Sequence, residues 1–188
     1  MPRTPSKRSA RRAPAEPVPP AFSRQRAQAT RRDELLFELT RARAAVRAAV
    51  QGLGGGNAER PVAPGKWSIK EIVLHLGERD RARLEEFDSL LAGRERSWAG
   101  LQGEPLHALN EAHLAPLRAL SWDDAVRRTD RLRDELVARL LAVPAEPVTP
   151  WEHEHAFGAA FWHLPQHDRH HAQQIKLARI GGPAPTEE

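Results

Sequence analysis

His75, His167 and His171 are the residues whose type and placement could carry chemistry in this chain. Each stands where the surrounding pattern asks for Leu or Ile. His75 closes the segment Trp67-Ser-Ile-Lys-Glu-Ile-Val-Leu-His75 and lies beside Ile72 and Leu76, on the flank of an apolar stripe. His167 and His171 bound the segment His167-Asp-Arg-His-His171. Four residues is about one helical turn, so these two rings can converge on a single point. Neutral imidazole is a good donor to a divalent transition metal, and three of them leave coordination positions for water or substrate. The competing reading is a set of hydrogen-bonded core histidines. The chain has nine His, enough for such a pattern to arise by chance. Imidazoles buried in an apolar seam would then need polar partners.

Other polar residues compete for a place in the site. His163 continues the four-residue spacing of 167 and 171. Pro165 argues against it, because Pro favours the first position of a helix and so sets His163 ahead of it. His170 is rotated ~100° from His171, which suits a surface or supporting position. His153 and His155 follow Trp151 in a loop, as a lid or as surface decoration. Asp168, His153 or His155 could move protons. Asp80 and Glu71 could orient a ligand histidine by accepting its second N–H. The plainer alternatives are a salt bridge to a neighbouring Arg for Asp80 and a helix cap for Glu71. No residue is assigned a catalytic role. Gly-rich phosphate loops are absent from the sequence, so nucleotide binding has no support.

Helices must position these groups. The first is expected over Arg31–Leu53, with Leu36, Leu39, Ala42, Val46, Val50 and Leu53 on one stripe. The second starts at Ser68, where Glu71 completes a capping box, and runs to Gly93. Its apolar side is Ile69, Ile72, Val73, Leu76, Leu84, Phe87 and Leu91. A shorter helix near Pro105–Leu117 would align Leu106, Leu109, His113 and Leu117. The third long helix begins at Ser121, faces inward with Ala125, Thr129, Leu132, Leu136, Leu140 and Val143, and ends before Pro144. The last covers about Leu164–Ile180, with Leu164, His167, His171, Ile175 and Ala178 in line, and stops at Gly181-Gly-Pro. No β-alternation of useful length interrupts this pattern. The fold class is therefore all-α, a four-helix bundle with long connections.

The chain has 188 residues and a net charge of +4, unevenly spread. Residues 1–32 hold nine Lys/Arg and one acid, Glu16, leaving 20 basic and 24 acidic residues in the remainder. Residues 1–28 are rich in Pro, Arg, Ala and Ser. They are expected to form a disordered basic arm, ahead of a bundle over 29–183 and a tail at 184–188. Any nucleic-acid contact would be weak, salt-dependent and confined to that arm, since the body is acidic. Cys is absent, so disulfides and thiolate metal sites are excluded. No apolar run reaches the ~20 residues of a membrane span, and no secretory signal is evident, which points to the cytoplasm and away from membranes.

The two histidine segments, in this order and with the Trp67-Ser68 opening and the trailing Gln174-Ile175, resemble the helix-two and helix-four signatures of the DinB-like superfamily. The resemblance spans about residues 30–181. It implies a four-helix bundle holding a divalent ion, zinc or nickel first and iron or manganese next, on His75, His167 and His171. It also implies a metal-dependent hydrolase or a transferase using a low-molecular-weight thiol such as bacillithiol or mycothiol. A small-molecule substrate and homodimers belong to the same expectation. The alternative is a non-catalytic bundle that binds a metal or small ligand for stability. The basic arm lies outside the family pattern.

Overall fold

The computed structural model describes residues 30–97 and 99–181. The expected arm at 1–28 and tail at 184–188 lie outside the described residues. Among the described residues there are seven α-helices and no strand, only an isolated bridge between Pro61 and Ser68. They are α1 (Arg31–Val50), α2 (Gly55–Ala58), α3 (Ile69–Glu85), α4 (Phe87–Leu91), α5 (Gly103–Leu114), α6 (Trp122–Ala142) and α7 (Ala156–Arg179).

Local chemistry sets the starts of the long helices. The side chain of Thr30 accepts from the Asp33 N–H at 3.2 Å, and that of Ser121 accepts from the Asp124 N–H at 3.1 Å. At Ser68 the capping box is complete: Ser68 Oγ accepts from the Glu71 N–H, and Glu71 Oε2 accepts from the Ser68 N–H at 2.8 Å. Such caps each contribute about 1 kcal/mol by satisfying first-turn N–H groups.

Helix α1 packs chiefly along α7, and α3 along α6, so the bundle is two helix pairs joined face to face. One apolar cluster joins Leu35, Leu39, Phe87, Leu136, Leu140, Trp151, Phe157 and Phe161. A second joins Val46, Ile69, Ile72, Leu76, Trp122 and Ile175 at the other end. Helix α5 covers the outer side of α3, where Leu74, Leu114 and Ala125 form a third cluster. This cover explains why α3 is buried nearly all round, Lys70 included. Gly77 lets α3 approach α6 closely: a methyl group there would stand 2.8 Å from Thr129 Oγ1, which itself donates to the Val73 carbonyl at 3.0 Å.

Several sequence expectations are corrected. Helix α1 ends at Val50, and its buried face includes Leu35, Arg43 and Ala49, with Leu36 only half-buried. The second helix is interrupted at Glu86, so Phe87–Leu91 is a separate helix. The largest difference is in α7, which begins eight residues earlier than expected and carries Pro165 in its interior. Phe157, Ala160, Phe161 and Leu164 form a full apolar stripe ahead of Pro165, and their burial outweighs the carbonyl left without a donor. His155 is the N-cap of this helix, its Nδ1 accepting from the Phe157 N–H at 3.2 Å. The first turn is pressed onto the preceding loop so closely that a Cβ at Gly158 would stand 1.8 Å from the Glu152 carbonyl oxygen. Among the described residues no helix is long and apolar enough to cross a membrane.

Candidate metal centre

Between the two apolar clusters the core turns polar. Arg43 of α1, Asp80 of α3, Arg133 of α6 and Asp168 of α7 form a buried quartet, one residue from each long helix. Asp80 accepts from Arg43 Nη2 at 3.0 Å and from Arg133 Nε and Nη2 at 3.0 and 2.8 Å. Asp168 accepts from Arg43 Nε at 3.1 Å and pairs with Arg133 Nη1 at 3.1 Å. Burial pulls the Arg133 guanidinium down, but the two carboxylates outweigh it and hold its pKa above the ordinary value. Two positive and two negative charges balance, which is the condition for burying them.

This arrangement removes two supporting candidates. Asp80 and Asp168 are committed to arginines, so neither is placed to orient a ligand histidine or move a proton. Glu71 is likewise taken: beyond its cap it accepts from Arg118 Nε at 2.7 Å. Arg118 also donates to Glu111 at 2.6 Å, and Glu111 Oε1 accepts from Trp67 Nε1 at 2.6 Å. That chain of contacts fixes the Trp67 indole 4.8 Å from the His75 ring.

His75, His167 and His171 come together beside the quartet. One donor nitrogen from each lies within 4.8 Å of the other two. His75 Nε2 and His167 Nε2 are 3.2 Å apart. Two imidazoles sharing an ion at about 2.0–2.1 Å with a tetrahedral angle have nitrogens about 3.3–3.4 Å apart. His171 Nδ1 is 2.9 Å from Gln174 Oε1. Gln174 Oε1 can only accept, so Nδ1 carries the proton and Nε2 keeps its lone pair for a ligand role. His75 and His167 cannot both be satisfied by one another. A single proton fits between their Nε2 atoms, and His167 Nδ1 is buried without a hydrogen-bond partner. A cation between the two nitrogens suits this donor set better than a hydrogen bond does.

The protonation states agree. Burial drives His75 well below the usual imidazole range, with the charges of His171, Arg79 and His113 adding to it. His167 is lowered well below by burial and then by His171 and His75. His171 is pulled down to about 4, again by burial, against the opposing hydrogen bond to Gln174. All three are neutral at pH 7 and able to donate to a metal.

The other histidines separate. His163 lies inside α7 with its ring 5.6 Å from that of His167, but it is exposed and outside the three-nitrogen cluster. His170 is half-buried with its ring 5.3 Å from His171. His153 is exposed and stacks on Trp162 at 5.1 Å. Twelve helical residues, or about 18 Å of rise, separate His155 from His167, so a lid over the cluster is excluded for it. A cavity of about 250 Å3 lined by Arg81, Glu86, Leu109 and His113, among others, contains none of the three clustered imidazoles.

Sequence reasoning missed Arg43 and Arg133. Both fall on the inward stripes of their helices, Arg43 four residues after Leu39 and Arg133 three before Leu136. A long cation on an apolar stripe was the available signal, and two such cations balance the two buried aspartates.

A family model described as the DinB superfamily matches residues 38–175. Two solved structures share the fold. One is the colibactin self-resistance protein ClbS, in complex with a dsDNA, with a TM-score of 0.65 at 11% identity over 79% of this chain and 94% of that one. The other is YfiT from Bacillus subtilis, described as a probable metal-dependent hydrolase with an unusual four-helix bundle topology. Its TM-score is 0.54 at 18% identity over 92% of this chain and 95% of that one. No curated protein matches the chain significantly.

Proposed function

We propose a function from one premise: the chain belongs to the DinB superfamily. The reading is a divalent-metal-dependent enzyme, a hydrolase or a low-molecular-weight-thiol S-transferase, in which His75, His167 and His171 hold the ion. One observation carries it: three neutral imidazoles from two facing helices, each with a donor nitrogen within 4.8 Å of the others. The description of YfiT as a probable metal-dependent hydrolase favours the same class. When bound, a divalent cation of the zinc or nickel type supplies Lewis acidity, lowering the pKa of a water or thiol beside it.

The chain's own residues do the rest. Gln174 holds the His171 tautomer, and Trp67, anchored by Glu111, walls one side of His75. Burial between the apolar clusters holds the imidazoles uncharged. Asp168 of the quartet ties α7 to α1 and α6, next to the residues that would ligate. We further divide the chain into a basic arm at 1–28, the bundle at 29–183 and a tail at 184–188. In the same reading the protein is cytoplasmic and forms a homodimer. The arm would make at most weak, salt-dependent contacts with polyanions such as the dsDNA bound by ClbS.

Elemental analysis of the full-length protein tests the reading. The wild type is expected to carry about one divalent ion per chain. His75→Ala should lose the ion and all metal-dependent turnover with helicity intact. Metal content unchanged in His75→Ala would refute the assignment.

A further inference from the structure

The three imidazoles are not held alike. His171 is fixed by its hydrogen bond to Gln174, and His167 lies one turn away on the same helix. His75 comes alone from α3. Its ring has three aromatic neighbours: His167 at 5.0 Å, His171 at 5.3 Å and Trp67 at 4.8 Å between centroids. Among the described residues Trp67 is the one of these that is not itself a candidate ligand.

Trp67 lies outside α3, one residue ahead of the Ser68 cap, so no helical turn dictates its side-chain rotamer. Its backbone is tied down, the Trp67 carbonyl accepting from the Val62 N–H at 2.9 Å. The indole packs against the second and third apolar clusters, but apolar packing is not directional. Direction comes from its polar edge, where Nε1 donates to Glu111 Oε1 at 2.6 Å. Indole has a single donor and no acceptor, and a carboxylate is the stronger kind of partner for it.

Glu111 is set in turn by its other oxygen. Oε2 accepts from Arg118 Nη2 at 2.6 Å, Arg118 Nε donates to Glu71 Oε1 at 2.7 Å, and Glu71 Oε2 accepts from the Ser68 N–H and Oγ at 2.8 and 2.9 Å. This chain of contacts leaves Trp67 and returns to its neighbour Ser68, and Glu71 stands one turn before His75 on α3. The hydrogen bonds from Arg118 and Trp67 hold the Glu111 carboxyl below the usual carboxylate range, so it remains an acceptor at pH 7. Arg118 and Glu111 are 41% and 47% exposed, so their ion pair adds little to stability. What the chain of contacts does fix is the place of the indole against His75.

We propose that Glu111 is a positioning residue of the histidine centre, acting through the Trp67 indole to set the His75 ring toward His167 and His171. This deepens the metal reading, on which it rests for any effect on an ion; the path from Glu111 to His75 stands without one. Groups that orient a ligand from behind change metal affinity about 10–100-fold.

The test has two readouts on full-length protein: the His75 ring resonances without metal, assigned by their loss in His75→Ala, and zinc affinity by chelator competition. Glu111→Leu is expected to shift the resonances and to weaken zinc binding about 10–100-fold. Glu111→Gln, whose amide oxygen still accepts from the indole N–H, should stay near wild type in both. Trp67→Phe keeps an aromatic ring but no N–H, so it should reproduce Glu111→Leu, and the two substitutions together should be no worse than either alone. Unmoved His75 resonances in Glu111→Leu would overturn the assignment, as would a strictly additive pair or a Glu111→Gln that behaves like Glu111→Leu. Should Glu111→Leu lose helicity, Glu111→Gln and Trp67→Phe carry the comparison, and equal His75 resonances in those two overturn it. A wild type that binds no zinc while the resonances move as stated sinks the metal reading and leaves the positioning role standing. Zinc bound equally by wild type and Glu111→Leu, with the resonances unmoved, does the reverse.

Discussion

Asp80→Asn isolates the energetics of the buried quartet. Asp80 is fully buried and accepts three hydrogen bonds, one from Arg43 and two from Arg133. Asn keeps the volume but removes the charge, and its amide group turns an N–H toward guanidinium N–H donors. Two arginines then share one carboxylate, Asp168, leaving a net positive charge in a region closed to water. Removing one partner of a buried ion pair costs about 3–5 kcal/mol. Folded proteins of this size have about 5–15 kcal/mol in all, so the variant should fall by a large fraction of its stability. At about 2–4 °C per kcal/mol, the expected loss in Tm is about 6–20 °C. Urea unfolding followed by circular dichroism, on metal-free protein, gives the free energy directly. The cycle is completed with Arg43→Met and the double variant. Arg133 and Asp168 remain as a balanced pair in the double variant, which should be more stable than Asp80→Asn alone despite its second substitution. A single variant within about 0.5 kcal/mol of wild type, or a strictly additive cycle, would show that the four charges are not coupled as drawn.

The histidine cluster predicts a pH dependence of stability in the metal-free protein. The pKa of His171 is lowered in the folded state to about 4, so between the unfolded value of ~6.5 and 4 the unfolded chain binds the extra proton. Stability should be level above pH 7 and fall as pH drops below ~6.5, by about 2 kcal/mol from His171 alone at pH 5. His75 and His167 act in the same direction. Urea midpoints at pH 7 and 5 check this, and a flat or rising profile contradicts it. Gln174→Leu should weaken metal affinity about 10–100-fold by freeing the His171 ring, read by chelator competition, while changing the fold little. Gly158→Ala should destabilise by about 1–3 kcal/mol or more, because the added methyl meets a backbone oxygen that cannot swing aside; thermal unfolding measures it.

The three histidines and the helices that present them were legible because both signals are local. A stripe with a period of 3.6 residues shows which face of a helix is inward, and His at 167 and 171 on that face must look into the core. The start of α7 was misread because Pro165 resembles an opening residue, while Phe157, Ala160 and Phe161, the residues that extend the helix past it, precede it in sequence. Asp80 could be placed inside, but its partners could not: Arg43 and Arg133 are 37 and 53 residues away, and nothing local tells an inward arginine from a solvated one.

The division of the bundle into the pairs α1–α7 and α3–α6 has a consequence for how an ion would enter and leave. His75 belongs to one pair, and His167 and His171 to the other. A cation held by all three would act as a clasp across the joint, resisting separation of the halves in proportion to its own affinity. Excess ligand at a hundred times its Kd adds about 2.7 kcal/mol to such a joint. The reverse also follows: slight parting of the pairs pulls one donor away from the other two, so release of the ion would be governed by the breathing of the whole molecule rather than by a gate at its surface.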